Sequence, residues 1–158
     1  MKVTKPTVWW LAEAYDLRVD RPHTATGPEP LIIEDTPEMA CQNIPKNVVF
    51  NTGSGKIVVG RNTMFGDDVH VLTGKHMGVA EAKATGMPLH HVTKGRDIHI
   101  GQNCYIGGRS VLVGPLVIGD GAMICAGAVV TQNVPPGAFV AGSPARVFSI
   151  PDRSKTDS

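Results

Sequence analysis

Aromatic side chains are scarce in this sequence, at 5% of residues, although hydrophobic residues of all kinds reach 42%. The apolar material is therefore mostly aliphatic, which suits a narrow interior, and there is too much of it for a disordered chain. Cysteine is also sparse. Cys41, Cys104 and Cys125 are odd in number and lack paired metal spacing, which argues against a disulfide framework or a zinc ribbon. Positive and negative charges nearly cancel to a net +1, so no basic excess draws the chain to nucleic acid or an anionic membrane. No apolar run approaches the roughly 20 residues that span a bilayer. Lys2 and Lys5 are not followed by an apolar stretch of signal-peptide type, so a cytoplasmic location is expected. There is no P-loop, no G-x-S-x-G elbow and no H-E-x-x-H pair, which leaves nucleotide hydrolysis, serine hydrolysis and zinc-peptidase chemistry without a motif.

What the sequence does contain is a period of six. An aliphatic or aromatic residue opens each hexad at Val59, Phe65 and Val71, and again at Ile100, Ile106, Leu112, Ile118, Ile124 and Val130. Glycine often follows, as at Gly60, Gly66, Gly101, Gly107 and Gly119. Four residues after each opening position stands a second column: Thr63, Val69, Cys104, Ser110, Leu116, Ala122, Ala128 and Val134. Strand faces alternate with period two, so the chain must bend within each hexad for both columns to face inward. Hexads of this kind mark a parallel β-helix solenoid. Three of them closing a triangular coil put Ile100 beneath Ile118, and each coil buries its corners only by stacking on the next.

The period divides the chain of 158 residues, a length suited to one domain. Residues 1–43 show no hexads and read as an irregular N-terminal cap, with a candidate helix from Val8 to Leu17 and with Trp9 and Trp10 available to close the solenoid end or meet another subunit. Residues 44–148 read as the β-helix, beginning with an irregular coil. Its period is broken by an insertion at 77–97, which is expected to belong to a binding surface. Pro135 and Pro136 break the register at the far end, and 149–158 is a polar tail.

The stretches VGRNTMFGDDVHVLTGKH and IHIGQNCYIGGRSVLVGPLVIGDGAMICAGAVVTQNVPPGAFVAGSPARV resemble the hexapeptide-repeat acetyltransferases, most closely the maltose, galactoside and xenobiotic O-acetyltransferase branch. The resemblance implies an all-β fold, a left-handed parallel β-helix, and a homotrimer whose donor grooves lie between adjacent solenoids. It implies acetyl-CoA as acetyl donor, no metal, and a sugar or polysaccharide precursor as acceptor.

Transfer of acetyl from a thioester to a hydroxyl requires a base for the hydroxyl proton, a role an imidazole suits near neutral pH, and a donor at the developing oxyanion. In the resembling enzymes the base sits in a T-G-H or T-x-H segment. LTGKH matches it at His76, with Lys75 as an extra residue where that branch has Gly. By the same resemblance Gly107 and Gly108 meet the thioester and pantetheine, and Gly66, Ala126, Thr131 and Gln132 line the donor groove. Gln132 departs from the V-T-K pattern in which Lys meets a CoA phosphate, and Arg146 offers a substitute charge. The small residues also have an ordinary reading as coil corners. Asn51 is the leading acceptor candidate, followed by Asp67 and Asp68, although all three read equally as turn residues. His90 and His91 lie in the insertion, where they would contact acceptor or a neighbouring subunit, or simply be solvated. His70 and His99 read as surface residues.

Three alternatives remain open on the sequence. An amino-sugar N-acetyltransferase would use the same base and oxyanion donor. A γ-carbonic-anhydrase-like metalloenzyme would need three ligating histidines on the same fold, and His70 and His76 have no third in clear register. A noncatalytic solenoid would bind a partner through its flat faces.

Overall fold

The computed structural model describes residues 25–88 and 94–149. The expectations for Val8 to Leu17, Trp9, Trp10, His90, His91 and the end of the tail lie outside the described residues.

The chain winds through three parallel faces. Face A stacks β1 (Ala25–Thr26), β3 (Val49–Asn51), β6 (His70–Leu72), β9 (Val111–Val113) and β12 (Val129–Val130). Face B stacks β2 (Leu31–Ile33), β4 (Ile57–Val59), β7 (Ile98–Ile100) and β10 (Leu116–Ile118). Face C stacks β5 (Met64–Phe65), β8 (Tyr105–Ile106), β11 (Met123–Ile124) and β13 (Phe139–Gly142). The hairpin partner of β13, β14 (Ala145–Ser149), is the antiparallel strand and ends face C. Successive strands visit B, C and A in turn. Ile100 pairs with Ile118, Ile106 with Ile124 and Leu112 with Val130, which is the register that three hexads per coil demand.

Both sequence columns are interior. Ile106, Leu112, Ile124 and Val69 are fully buried, as are Ala128 and Ser110. The alternation of large and small side chains closes a triangular core too narrow for many aromatic rings; Phe50 and Phe65 meet edge to face inside it, centroids 5.8 Å apart. Burial pushes the Cys104 thiol up from its ordinary range, and Cys104 fills a small interior position as the hexads require.

Stacking begins earlier than the hexads do. β1 and β2 fall in the stretch read as a cap, yet they pair in parallel with β3 and β4. Between β2 and β3, helix α1 (Pro37–Asn43) stands in the place of a face C strand. Thr36 caps it by accepting from Met39 N, and Pro37 opens its first turn, where a missing N–H costs nothing. The insertion is visible as a jump in register: side chains of neighbouring coils bond across 18 residues at Gln102 and Asp120 but across 41 at Asn62 and Asn103. Its described part contains helix α2 (Val79–Thr85), which the alanine-rich VAEAKAT favours and which Gly86 terminates at φ +70°.

Close stacking dictates glycine at some corners and turn geometry dictates it at others. A Cβ on Gly60 would lie 2.6 Å from Gln102 N in the next coil, whereas Gly121 has φ +68° and open space around it. Gly60→Ala should therefore cost about 2–3 kcal/mol by overpacking against backbone. Gly121→Ala should cost about 1 kcal/mol, from left-handed strain alone. Urea unfolding of the two variants checks the order, and equal losses would contradict the stacking account.

Candidate functional site

Two clusters of candidate residues occupy opposite edges of face A. The first is the corner through which the chain passes from face C to face A. Phe65, Ile106 and Ile124 are stacked, so Gly66, Gly107 and Cys125 follow as one column and Asp67, Gly108 and Ala126 as the next. The packing leaves no room for a side chain at Gly66 or Gly107. A Cβ on Gly66 would lie 2.4 Å from Gly108 N, and one on Gly107 the same distance from Ala126 N. The N–H groups of Gly66 and Gly107 are committed to the ladder, donating to Ile106 O and Ile124 O at 2.7 and 2.8 Å. Those of Gly108 and Ala126 have no acceptor among the described residues. Of the pair named from the sequence, Gly108 is thus the one with a backbone donor to offer. Asp68 lies at the same corner in the left-handed region, φ 57°, and accepts from Asn47 Nδ2 at 2.9 Å, so it serves a turn.

The second cluster is the neck of the insertion, at the opposite edge, where face A turns into face B. Three polar side chains are buried there: Thr52, Ser54 and Thr73. Asn51 O accepts both Thr73 N, at 3.0 Å, and Thr73 Oγ1, at 2.8 Å. Ser54 ties the departing and returning chain together. Its N–H donates to Thr73 Oγ1 at 3.1 Å, its Oγ accepts from Lys75 N at 3.2 Å, and its carbonyl accepts from Arg96 N at 3.1 Å. Arg96 Nε closes the neck by donating to Thr73 O at 3.0 Å. His76 follows immediately, exposed, with no partner for its ring among the described residues. Asn51 stands at its foot: Oδ1 accepts from Gly53 N at 2.9 Å, and a Cβ on Gly74 would come within 2.8 Å of that oxygen.

The structure therefore sets Asn51 against Gly74, two residues before His76, and groups Gly66, Gly107, Gly108 and Ala126, while Asp68 lies with the glycines at the opposite edge. Thr131 and Gln132 are exposed where the chain leaves β12, on the same edge of face A as the neck and two coils beyond Leu72. Arg146 is on β14, its Nη1 donating to Ala145 O at 2.9 Å. Between the two edges the outer surface of face A is mostly aliphatic, with Val49, Leu72, Val111, Val113 and Val129 partly buried. Among the described residues no three His, Cys, Asp or Glu side chains come together as a metal site, and no helix is long and apolar enough to cross a membrane.

Ser54, Thr73 and Arg96 hold the neck but carry no sequence signal. They fall in irregular turns, and only the stacking of one coil on another makes them neighbours. Ser54→Ala removes the acceptor for Lys75 N and should lower stability by about 1 kcal/mol. Amide hydrogen exchange should quicken at Lys75 and stay unchanged at Val130; unaltered exchange at Lys75 would show that the neck is held by other contacts.

Residues 97–132 match the bacterial transferase hexapeptide model, which describes six repeats. The galactoside O-acetyltransferase of Escherichia coli K12 is 36% identical over 124 residues, covering 68% of this chain and 61% of that protein. Nodulation protein L of Rhizobium meliloti is 41% identical over 92 residues, covering 58% of this chain and 48% of that protein. The chain thus spans less than two thirds of the length of these curated relatives. A hexapeptide-repeat acetyltransferase of Vibrio cholerae, solved with acetyl coenzyme A, superposes with a TM-score of 0.55 at 18% identity, covering 95% of this chain and 92% of that one. At that identity the likeness establishes a shared fold. With six matched repeats and the register that such repeats require, residues 97–132 belong to the bacterial transferase hexapeptide family.

Proposed function

We propose that the chain is an acetyl-CoA-dependent acetyltransferase that transfers acetyl to a hydroxyl of a sugar or polysaccharide precursor, with His76 as general base. The observation that carries this reading is His76 itself, exposed on a hydrogen-bonded neck at the foot of the insertion, on a solenoid whose opposite corner offers backbone N–H groups. In the reaction the imidazole takes the acceptor proton as its oxygen attacks the thioester carbonyl. The N–H of Gly108 or Ala126 stabilises the oxyanion, and the C–S bond breaks as the proton passes to the departing thiolate. The aliphatic outer surface of face A gives the pantetheine arm a dry bed. Thr131, Gln132 and Arg146 are the polar groups nearest the far end of such a groove. A sugar hydroxyl is preferred to an amine because the relatives of highest coverage at above 30% identity include a galactoside O-acetyltransferase. A left-handed coil and a cytoplasmic setting complete the reading.

One chain does not assemble this site alone. Gly108 and the Gly114 corner above the neck are separated by the width of face A, roughly 15–20 Å at strand rise. The base and the oxyanion donors of one protomer are therefore too far apart for a single transfer, and we read the active unit as a homotrimer in which His76 of one chain faces Gly108 of the next. The exposed stripe Met64, Tyr105 and Met123 on face C, with Phe148 beyond it at 71% exposure, supplies apolar surface for that packing.

His76→Ala should lower kcat by about 100- to 10,000-fold while acetyl-CoA affinity changes little. A thiol-release assay with saturating donor measures this, and near-normal turnover in the pure variant would remove His76 from the role. Shared sites make a second expectation. Co-expressing His76→Ala with Gly108→Val chains should recover activity that neither variant has alone, because mixed assemblies contain an intact pairing of the two edges. Absence of recovery in isolated mixed assemblies would mean that each chain works by itself.

A further inference from the structure

Two of the cations around the neck of the insertion, Lys56 and Lys94, have carboxylate partners. Asp97 is engaged by Lys56, whose Nζ lies 3.8 Å from Oδ2 and whose backbone N–H donates to Oδ1 at 3.0 Å. Glu29 is engaged by Lys94 at 3.1 Å. Arg96 has no carboxylate among the described residues. Its side chain is nonetheless fixed: Nε donates to Thr73 O, its N–H donates to Ser54 O, and its carbonyl is packed so closely under the next coil that a Cβ on Gly114 would lie 2.4 Å from it. Arg96 is partly buried as a residue, and its terminal nitrogens have no acceptor among the described residues.

Those nitrogens are not among the buried, unpartnered polar atoms, so an incoming anion can replace water on them without displacing a protein group. The planar fork of a guanidinium matches a carboxylate or phosphate in two parallel bonds. It also stands beside the base, since Ser54 accepts from Arg96 N through its carbonyl and from Lys75 N through its hydroxyl, and His76 is the next residue. We propose that Arg96 recognises an anionic group on the acceptor, a carboxylate or phosphate, and so selects an acidic saccharide over a neutral one. The inference rests on the acetyltransferase reading only for the word acceptor; the anion site is a property of the neck itself. Phosphates of the donor offer the same chemistry from another source, and the experiment separates them.

The test is equilibrium binding by ligand-observed NMR with matched pairs, glucuronate against glucose, galacturonate against galactose, and glucose 6-phosphate against glucose. The variants are Arg96→Gln, which keeps a donor for Thr73 O but removes the charged fork, and Arg96→Lys, which keeps the charge; thermal unfolding establishes that both are folded. In the unaltered chain the acidic member of at least one pair should bind about 10- to 100-fold more tightly, the span of a charge-assisted hydrogen bond. That preference should vanish in Arg96→Gln and survive in part in Arg96→Lys. No acidic preference in any pair, or a preference unchanged in Arg96→Gln, overturns the proposal. Acetyl-CoA and dephospho-CoA are titrated in parallel and should bind Arg96→Gln as they bind the unaltered chain. Loss of CoA affinity with unchanged sugar binding would assign the fork to the donor and also overturn the proposal. Failure of acetyl-CoA to bind the unaltered chain would count against the acetyltransferase reading alone, because the sugar titrations report on Arg96 without turnover.

Discussion

Every feature of this molecule depends on one constraint, that a coil of the solenoid has no core until another coil lies on it. A face contributes two or three residues per turn, and a strand that short is not stable alone. Parallel pairing between coils satisfies the backbone and at the same time brings together the corners at which Ile, Leu and Val meet in columns. The narrowness of the interior then dictates composition. Aliphatic residues fill one column, small residues the other, and glycine stands where a Cβ would strike the backbone of the neighbouring coil.

The same stacking shapes the two candidate edges of face A. Gly108 and Ala126 expose backbone donors because the ladder uses the N–H groups of the residues before them, Gly107 and Cys125, and not their own. At the opposite edge, three buried hydroxyl side chains replace the aliphatic packing found elsewhere and convert a corner into a hydrogen-bonded clamp. A buried hydroxyl is costly when unpaired, so each being bonded makes the neck a defined anchor instead of a loose exit. The first residues of the insertion, His76 among them, leave the solenoid directly from this anchor.

The shared site that we propose rests on the flatness of the described faces. A long, thin donor is better buried between two flat faces than on one, and exposed apolar residues can wall such a groove. The exposed methionines and tyrosine of face C and the aliphatic surface of face A are the two kinds of wall available here.

Much of this was legible in the order of residues. The period of six determined the three faces, the two interior columns, the register of 18 and the position of the insertion, because each depends on residues close in sequence and repeated at constant spacing. The glycines at Gly66, Gly107 and Gly108 and the histidine before the insertion were legible through their place in that period and through family resemblance. What lay beyond reach was whatever has no period. β1 and β2 join the stack from a stretch with no hexads, since a terminal rung borrows its order from the coil it lies on. The division of Asn51 from Asp68, the loss of the Gly107 donor to the ladder, and the meeting of Ser54, Thr73 and Arg96 across 19 and 23 residues were decided by the tertiary structure alone. Contacts between irregular turns arise only after the coils have closed, and a linear sequence holds no local trace of them.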